Sequence, residues 1–219
     1  MAVTGMGPAT GAGEAVADRT VEVIDALRGD GWCQRPDFFD AATVAALRAD
    51  ALDLRADFRA ASVGRAQTRQ RQADIRSDAT RWLDGASAAQ RTFLAAMEQL
   101  RLALNSRLYL GLFDFEAHYA HYPPGAFYRR HCDVFRAAAS DGKPRRVLSA
   151  VFYLNDAWCE GDGGELLLWD DADRAIARIA PLGGSAVFFL SDEIPHEVLP
   201  ARADRYSIAG WFRAAGDTA

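Results

Sequence analysis

At 219 residues, half of them apolar and 11% aromatic, the chain is long enough to bury a full core without disulfide or metal staples. Its net charge of −5 argues against a general nucleic-acid binder, which carries a basic surface. Three cysteines without CxxC spacing exclude a disulfide framework or zinc knuckle, and no apolar run approaches the ~18 residues that span a bilayer.

The N-terminal stretch MAVTGMGPATGAG has neither the basic nor the apolar region of a signal peptide. With so few cysteines, a cytoplasmic setting follows as the expectation. Residues 1–13 read as a disordered tail, and residues 14–219 as one domain with a helical part over 14–110 and a strand-rich part over 111–219.

Three amphipathic helices are predicted first. One covers 14–28, with Ala17, Val21, Ile24 and Leu27 on one face and a stop at Gly29-Asp30-Gly31. The second starts at an Asp40 N-cap and carries Val44, Leu47, Ala51, Leu54 and Phe58 at helical spacing. The third opens on Ser87-x-x-Gln90, a capping-box pattern, and carries Phe93, Met97, Leu100, Leu104 and Leu108 in one stripe. Such stripes are core faces. The Arg-rich stretch over 62–85 reads as irregular, with one or two short strands. It is either a solvated loop or a flap near a site, and its Arg cluster is either solvated or a docking surface for an acidic protein.

From Phe115 onward, short aromatic and β-branched runs alternate with turn signals. Strands are predicted over 115–122, 126–133, 147–154, 165–169, 175–179, 186–190 and 206–213. Helices first and strands later give an α+β class, with a jelly-roll core buttressed by the N-terminal helices.

His131-Cys132-Asp133 stands at the end of a predicted strand, where side chains two apart share a face and can reach one ion. His196 follows the strand over 186–190 and supplies a third ligand. Two imidazoles and a carboxylate make the facial triad of non-haem Fe(II) oxygenases, which leaves positions open for substrate oxygen atoms and O₂. Arg205, nine residues beyond His196, is suited to clamp the far carboxylate of a dicarboxylate cosubstrate, and Tyr153 can add a donor. Leu168, Val187 and Ile208 are expected to keep the site dry, and Cys132 to point away from the metal. His118 and His121, three apart on a strand, should face opposite sides and form no second metal site.

These residues, with Ile75-Arg76-Ser77-Asp78 and Trp82, Tyr122-Pro123, Tyr128-Arg129-Arg130-His131, Tyr153-Leu154-Asn155, Gly163-Gly164-Glu165-Leu166, Pro195-His196-Glu197-Val198, Arg205-Tyr206 and Trp211, resemble the Fe(II)/2-oxoglutarate-dependent oxygenases. More narrowly they resemble the SM-20-like prolyl hydroxylases, which include the HIF prolyl hydroxylases and bacterial relatives. Collagen-type prolyl hydroxylases place Lys at the Arg205 position. Nucleic-acid demethylases of the AlkB type carry a second Arg where this chain has Trp211.

The resemblance implies a double-stranded β-helix that binds Fe(II) through His131, Asp133 and His196, with Arg205 and Tyr153 on 2-oxoglutarate and ascorbate as reductant. It places Tyr122, Tyr128 and Trp211 in the pocket and pairs Asp78 with Arg146 between flap and barrel mouth. It implies hydroxylation of a C–H bond, of a prolyl residue in a protein or peptide, with O₂ consumed and succinate and CO₂ released. A free amino acid or other small molecule as substrate, or a binding or sensor protein without turnover, are the alternatives left open by the residues. No nucleic-acid or membrane partner is expected.

Overall fold

The computed structural model describes residues 11–61, 74–134 and 144–216. The tail read over 1–13 falls mostly outside them. Much of the Arg-rich stretch does too.

Helix α1 spans Gly11–Asp30, so its first turn begins three residues ahead of the predicted start. Gly31, at φ +72, ends it. Its buried residues are Val23, Ile24 and Leu27. Helix α2 spans Ala41–Asp53, and the Asp40 side chain accepts from the Thr43 N–H at 2.7 Å. It is shorter than predicted. Leu54 and Phe58 keep their apolar contacts through a 3₁₀ turn over Arg55–Asp57 instead of a further α turn.

Helix α3 spans Ala88–Leu108 and buries Phe93, Met97, Leu100 and Leu104. Ser87 caps it by accepting from the Gln90 N–H at 3.1 Å. The Gln90 side chain does not return to Ser87. Its Oε1 accepts from the Asp84 and Gly85 N–H groups, and its Nε2 donates to Asp50 on α2.

Among the described residues, eleven strands make two antiparallel sheets. They are β1 (Trp32–Arg35), β2 (Arg59–Ala60), β3 (Ala79–Trp82), β4 (Leu112–Tyr122), β5 (Tyr128–His131), β6 (Arg145–Tyr153), β7 (Leu166–Trp169), β8 (Ala175–Ile179), β9 (Ala186–Leu190), β10 (His196–Val198) and β11 (Arg205–Ala214). The larger sheet runs β1-β9-β6-β11-β4-β3-β2, and the smaller runs β5-β10-β7-β8. The N-terminal helices pack on this two-sheet sandwich, as the α+β jelly-roll reading expected.

Alternation along the strands sorts residues into two apolar layers. Tyr119 of β4 and Tyr206, Ile208 and Phe212 of β11 face the helices. Ala120, Tyr122 and Tyr153 face the second sheet, with Leu168, Val187 and Phe189. Ile208 therefore belongs to the helix side and not to the pocket wall expected for it, because it is odd-spaced from Arg205. The strands β1, β2 and β10 were not predicted. Each is four residues or fewer and is held by neighbouring strands, β1 by β9, β2 by β3 and β10 by β5 and β7.

Candidate metal centre and cosubstrate pocket

His131 is the last residue of β5, and its Cα faces that of His196 on β10. The His131 Nδ1 lies 2.8 Å from the Arg129 carbonyl and the His196 Nδ1 3.1 Å from the Ile194 carbonyl. A carbonyl only accepts, so each Nδ1 carries the proton and each Nε2 presents a lone pair. Both Nε2 atoms turn to Asp133, at 3.7 Å from Oδ1 and 3.6 Å from Oδ2. The three ligand atoms lie within 4.8 Å of one another, a spacing that one ion bridges.

Asp133 is not on the strand. The ladder stops at His131, and a bend carries Asp133 to where its N–H donates to the Ser191 carbonyl at 3.2 Å. The Ser149 hydroxyl donates to Asp133 Oδ2 at 2.6 Å and lies 2.8 Å from the Ser191 hydroxyl. Cys132, expected to face away, lines the cavity because of the same bend. Tyr128 stacks on His131 with ring centroids 3.6 Å apart, and Arg76 lies over the far side of Tyr128 at 4.2 Å.

Burial alone would raise the Asp133 carboxyl. His196, His131 and the Ser149 hydroxyl outweigh it and hold Asp133 well below the usual carboxylate range. Burial lowers His196 to about 4; Asp133 opposes this and His131 adds to it. At neutral pH the cluster thus offers an anionic oxygen and unprotonated nitrogen, the forms that ligate a metal.

Arg205 opens β11 opposite Tyr122 of β4. It is 1% exposed, a costly place for a cation. Its Nε donates to the Gly164 carbonyl at 2.9 Å and its Nη1 to the Ser207 hydroxyl at 3.1 Å. The guanidinium lies over the Tyr122 ring at 4.7 Å and the Tyr153 ring at 5.2 Å. Among the described residues no carboxylate lies within 4 Å of it, and the buried Tyr153 hydroxyl has no partner. Burial raises the Tyr153 phenol to about 12, against the pull of Arg205, so it is a donor at neutral pH. Gly164 sits at φ +66, and a Cβ there would come within 2.9 Å of Arg205 Cδ, so the guanidinium needs this glycine. Asn155, known from the sequence only as part of a motif, anchors the start of β11 by accepting from the Tyr206 N–H at 2.8 Å.

The triad and Arg205 line one cavity of about 490 Å³, together with Tyr122, Tyr128 and Trp211. Its residues fit the groups expected here. Two nitrogens and an oxygen suit Fe(II). A buried cation and an unpartnered hydroxyl at the far end suit a carboxylate.

The Asp78–Arg146 pair is not what the fold forms. Asp78 takes both hydrogen bonds from Arg76, at 2.7 and 2.6 Å. Arg146 instead binds Glu116 at 2.9 Å and covers the Trp211 ring at 3.6 Å. Arg76 is met by the carboxylate two residues along its own segment, and Arg146 by one that reaches across β11 from β4. Ser149, Ser191, Arg76 and Phe189 were missed as site residues. A small hydroxyl inside the apolar strand β6 and another just after β9 were the available signal for the serines. His118 and His121 do face opposite sides. His121 stacks on Tyr206 and meets Asp204 at 2.6 Å, while His118 lines the cavity.

Residues 117–213 match the model of the 2OG-Fe(II) oxygenase superfamily. The chain is 44% identical to a Pseudomonas putida prolyl-4-hydroxylase, with a TM-score of 0.79 over 90% of this chain and 100% of that one. A prolyl hydroxylase of Trichoplax adhaerens, solved with a hypoxia-inducible-factor peptide fragment, is 26% identical with a TM-score of 0.80, over 94% and 93% of the two chains. Human Egl nine homolog 1 is 33% identical over 156 residues, 67% of this chain. The chain spans only 35% of that relative's length. On its sequence, fold and site together, the chain belongs to the 2OG-Fe(II) oxygenases and is related, within them, to the Egl nine and bacterial prolyl hydroxylases.

Proposed function

We propose that the protein is an Fe(II)- and 2-oxoglutarate-dependent hydroxylase acting on a prolyl residue of a protein or peptide. One observation carries the cosubstrate: a fully buried Arg205 with no carboxylate partner among the described residues, beside an unpartnered Tyr153 hydroxyl, in the cavity that holds the triad. The prolyl substrate rests on the relatives named above.

When bound, the metal, 2-oxoglutarate and O₂ together supply the oxidant, with succinate and CO₂ released and one oxygen atom entering the substrate. The chain does the rest. His131, Asp133 and His196 would hold the metal through their clustered ligand atoms, which line the cavity. Ser149 and the backbone carbonyls of Arg129 and Ile194 fix the ligands before the metal arrives. Arg205 and Tyr153 hold the distal carboxylate and so orient the cosubstrate. Leu166 and Val198, with Phe189 beside His196, make the cavity wall apolar and exclude water.

A reducing, cytoplasmic setting is part of the proposal, with ascorbate as reductant. The unbridged Cys33, Cys132 and Cys159 support it. Among the described residues, no helix is long and apolar enough to cross a membrane.

The test is succinate formation from 2-oxoglutarate with Fe(II), ascorbate and O₂, with His196→Ala in parallel. Slow turnover that the substitution abolishes, and that proline-containing peptides stimulate, is expected. No turnover together with no 2-oxoglutarate binding to the Mn(II) protein would remove the enzyme reading.

A further inference from the structure

The cavity extends sideways, toward β4, to an end that the triad and Arg205 leave unused. The pairing of β4, β11 and β6 sets its floor in rows. Arg205 pairs with Tyr122, Ala209 with His118 and Val151, and Trp211 with Glu116 and Ser149. At about 3.3 Å per residue, Arg205 and Trp211 are roughly 20 Å apart along the strand. Ser149 binds Asp133, so the metal sits level with the Trp211 row, and His118 is one row away on the neighbouring strand.

His118 is 5% exposed and packs against two indoles that also meet each other, with ring centroids 5.1 Å from Trp82 and 5.3 Å from Trp211. Its Nδ1 lies 3.1 Å from the Tyr119 carbonyl. That bond requires the proton on Nδ1 and leaves Nε2 with its lone pair. Among the described residues Nε2 has no partner. Burial first, and the charge of Arg76 next, lower the imidazole to about 4, so it is neutral under ordinary conditions. Nε2 is open to the cavity, so a ligand that displaces water there must supply a donor or leave this acceptor unsatisfied.

The donor is a neutral one on a chain-borne residue. Arg76 and Arg146, the cations lining this end, are already bound to Asp78 and Glu116, so the carboxylate of a free amino acid would find no unpaired cation there. A prolyl nitrogen has no hydrogen. The N–H nearest the pyrrolidine ring is that of the next residue.

Resting on the prolyl reading above, we propose that His118 is a specificity-determining residue whose Nε2 accepts the backbone N–H of the residue that follows the target proline. The site then reads one peptide bond beyond the reacting ring.

Two probes isolate that bond. One is the peptide Ac-Ala-Ala-Pro-Ala-Ala-NH₂. The other is its depsipeptide, in which lactate replaces the alanine after proline and removes a single N–H. Both are titrated calorimetrically into the protein loaded with Mn(II) and 2-oxoglutarate without O₂, using wild type and His118→Phe. Phe keeps the ring contacts and deletes the acceptor. Wild type should favour the amide by about tenfold, and His118→Phe should bind the two about equally. Equal binding by wild type, or an undiminished preference in the variant, overturns the role of His118 alone. Binding of neither peptide overturns the prolyl-peptide reading and this one with it. A readout that needs no variant is the ¹⁵N ring spectrum of wild-type His118. Its Nε2 should be unprotonated and should shift with the amide but not with the ester. A proton on Nε2, or equal shifts with both, refutes the proposal.

Discussion

Arg205→Ala should remove the cation that meets the far carboxylate of 2-oxoglutarate. Truncating one member of a buried, hydrogen-bonded charge pair costs about 2–5 kcal/mol. At ~1.4 kcal/mol per decade, that is roughly 30-fold to a few thousand-fold in affinity. The structure argues for the lower half of this range. Nε and Nη1 are already engaged by Gly164 and Ser207, and the Tyr153 hydroxyl remains in the variant to donate to the carboxylate. An affinity loss of about 100-fold is therefore expected. Arg205→Lys should fall between, since it keeps the charge and loses the fork that bonds Gly164. The assay is calorimetric titration of 2-oxoglutarate into the Mn(II)-loaded protein without O₂. A dissociation constant within about threefold of wild type, well under one decade's ~1.4 kcal/mol, would show that Arg205 is not the carboxylate clamp.

Two further outcomes test the metal centre and the buried histidines. Ser149→Ala removes the donor to Asp133 Oδ2, and loss of such a supporting bond typically weakens metal binding about 10–100-fold, measurable by Co(II) titration; unchanged affinity would mean that the ligands are oriented by backbone alone. The metal-free protein should lose stability on acidification between pH 6.5 and about 4, because the unfolded chain protonates His118 and His196 near 6.5 and the folded one only near 4. In that window the unfolded state binds more protons, so stability rises with pH and levels off above it. The shift amounts to roughly 3 kcal/mol per histidine. Asp133 acts with the same sign at lower pH: its contribution is present above the unfolded carboxylate value of ~3.9 and is lost only below the window. Urea midpoints across this range should flatten by about half in His118→Phe; an unchanged slope would place the titration elsewhere.

Most helices and strands were legible because their signals are local. Asp40 and Ser87 cap the helices that their positions announce, and the strand over 186–190 matches its run of apolar residues. The failures share one cause. β10 is three residues beside Pro195, and β1 is four, and each is a strand only because another edge pairs with it. The assignment of Ile208 to the pocket failed through parity: an odd offset from Arg205 and Ser207 turns it to the helices. The Asp78–Arg146 pair failed because each charge had a nearer partner, in Arg76 and Glu116.

The sequence by itself determined the class of fold, the donor types His131, Asp133 and His196, and the cation Arg205, because residue chemistry and strand periodicity are properties of neighbours along the chain. Only the tertiary structure decided how they work together. The β5–β10 register brings His131 to His196, the bend after β5 sets Asp133 on Ser149, and Gly164 makes room for Arg205. It also turned His118 from a spare histidine into a cavity acceptor. Each of these depends on contacts between segments tens of residues apart, and no local pattern encodes which partner a side chain will meet.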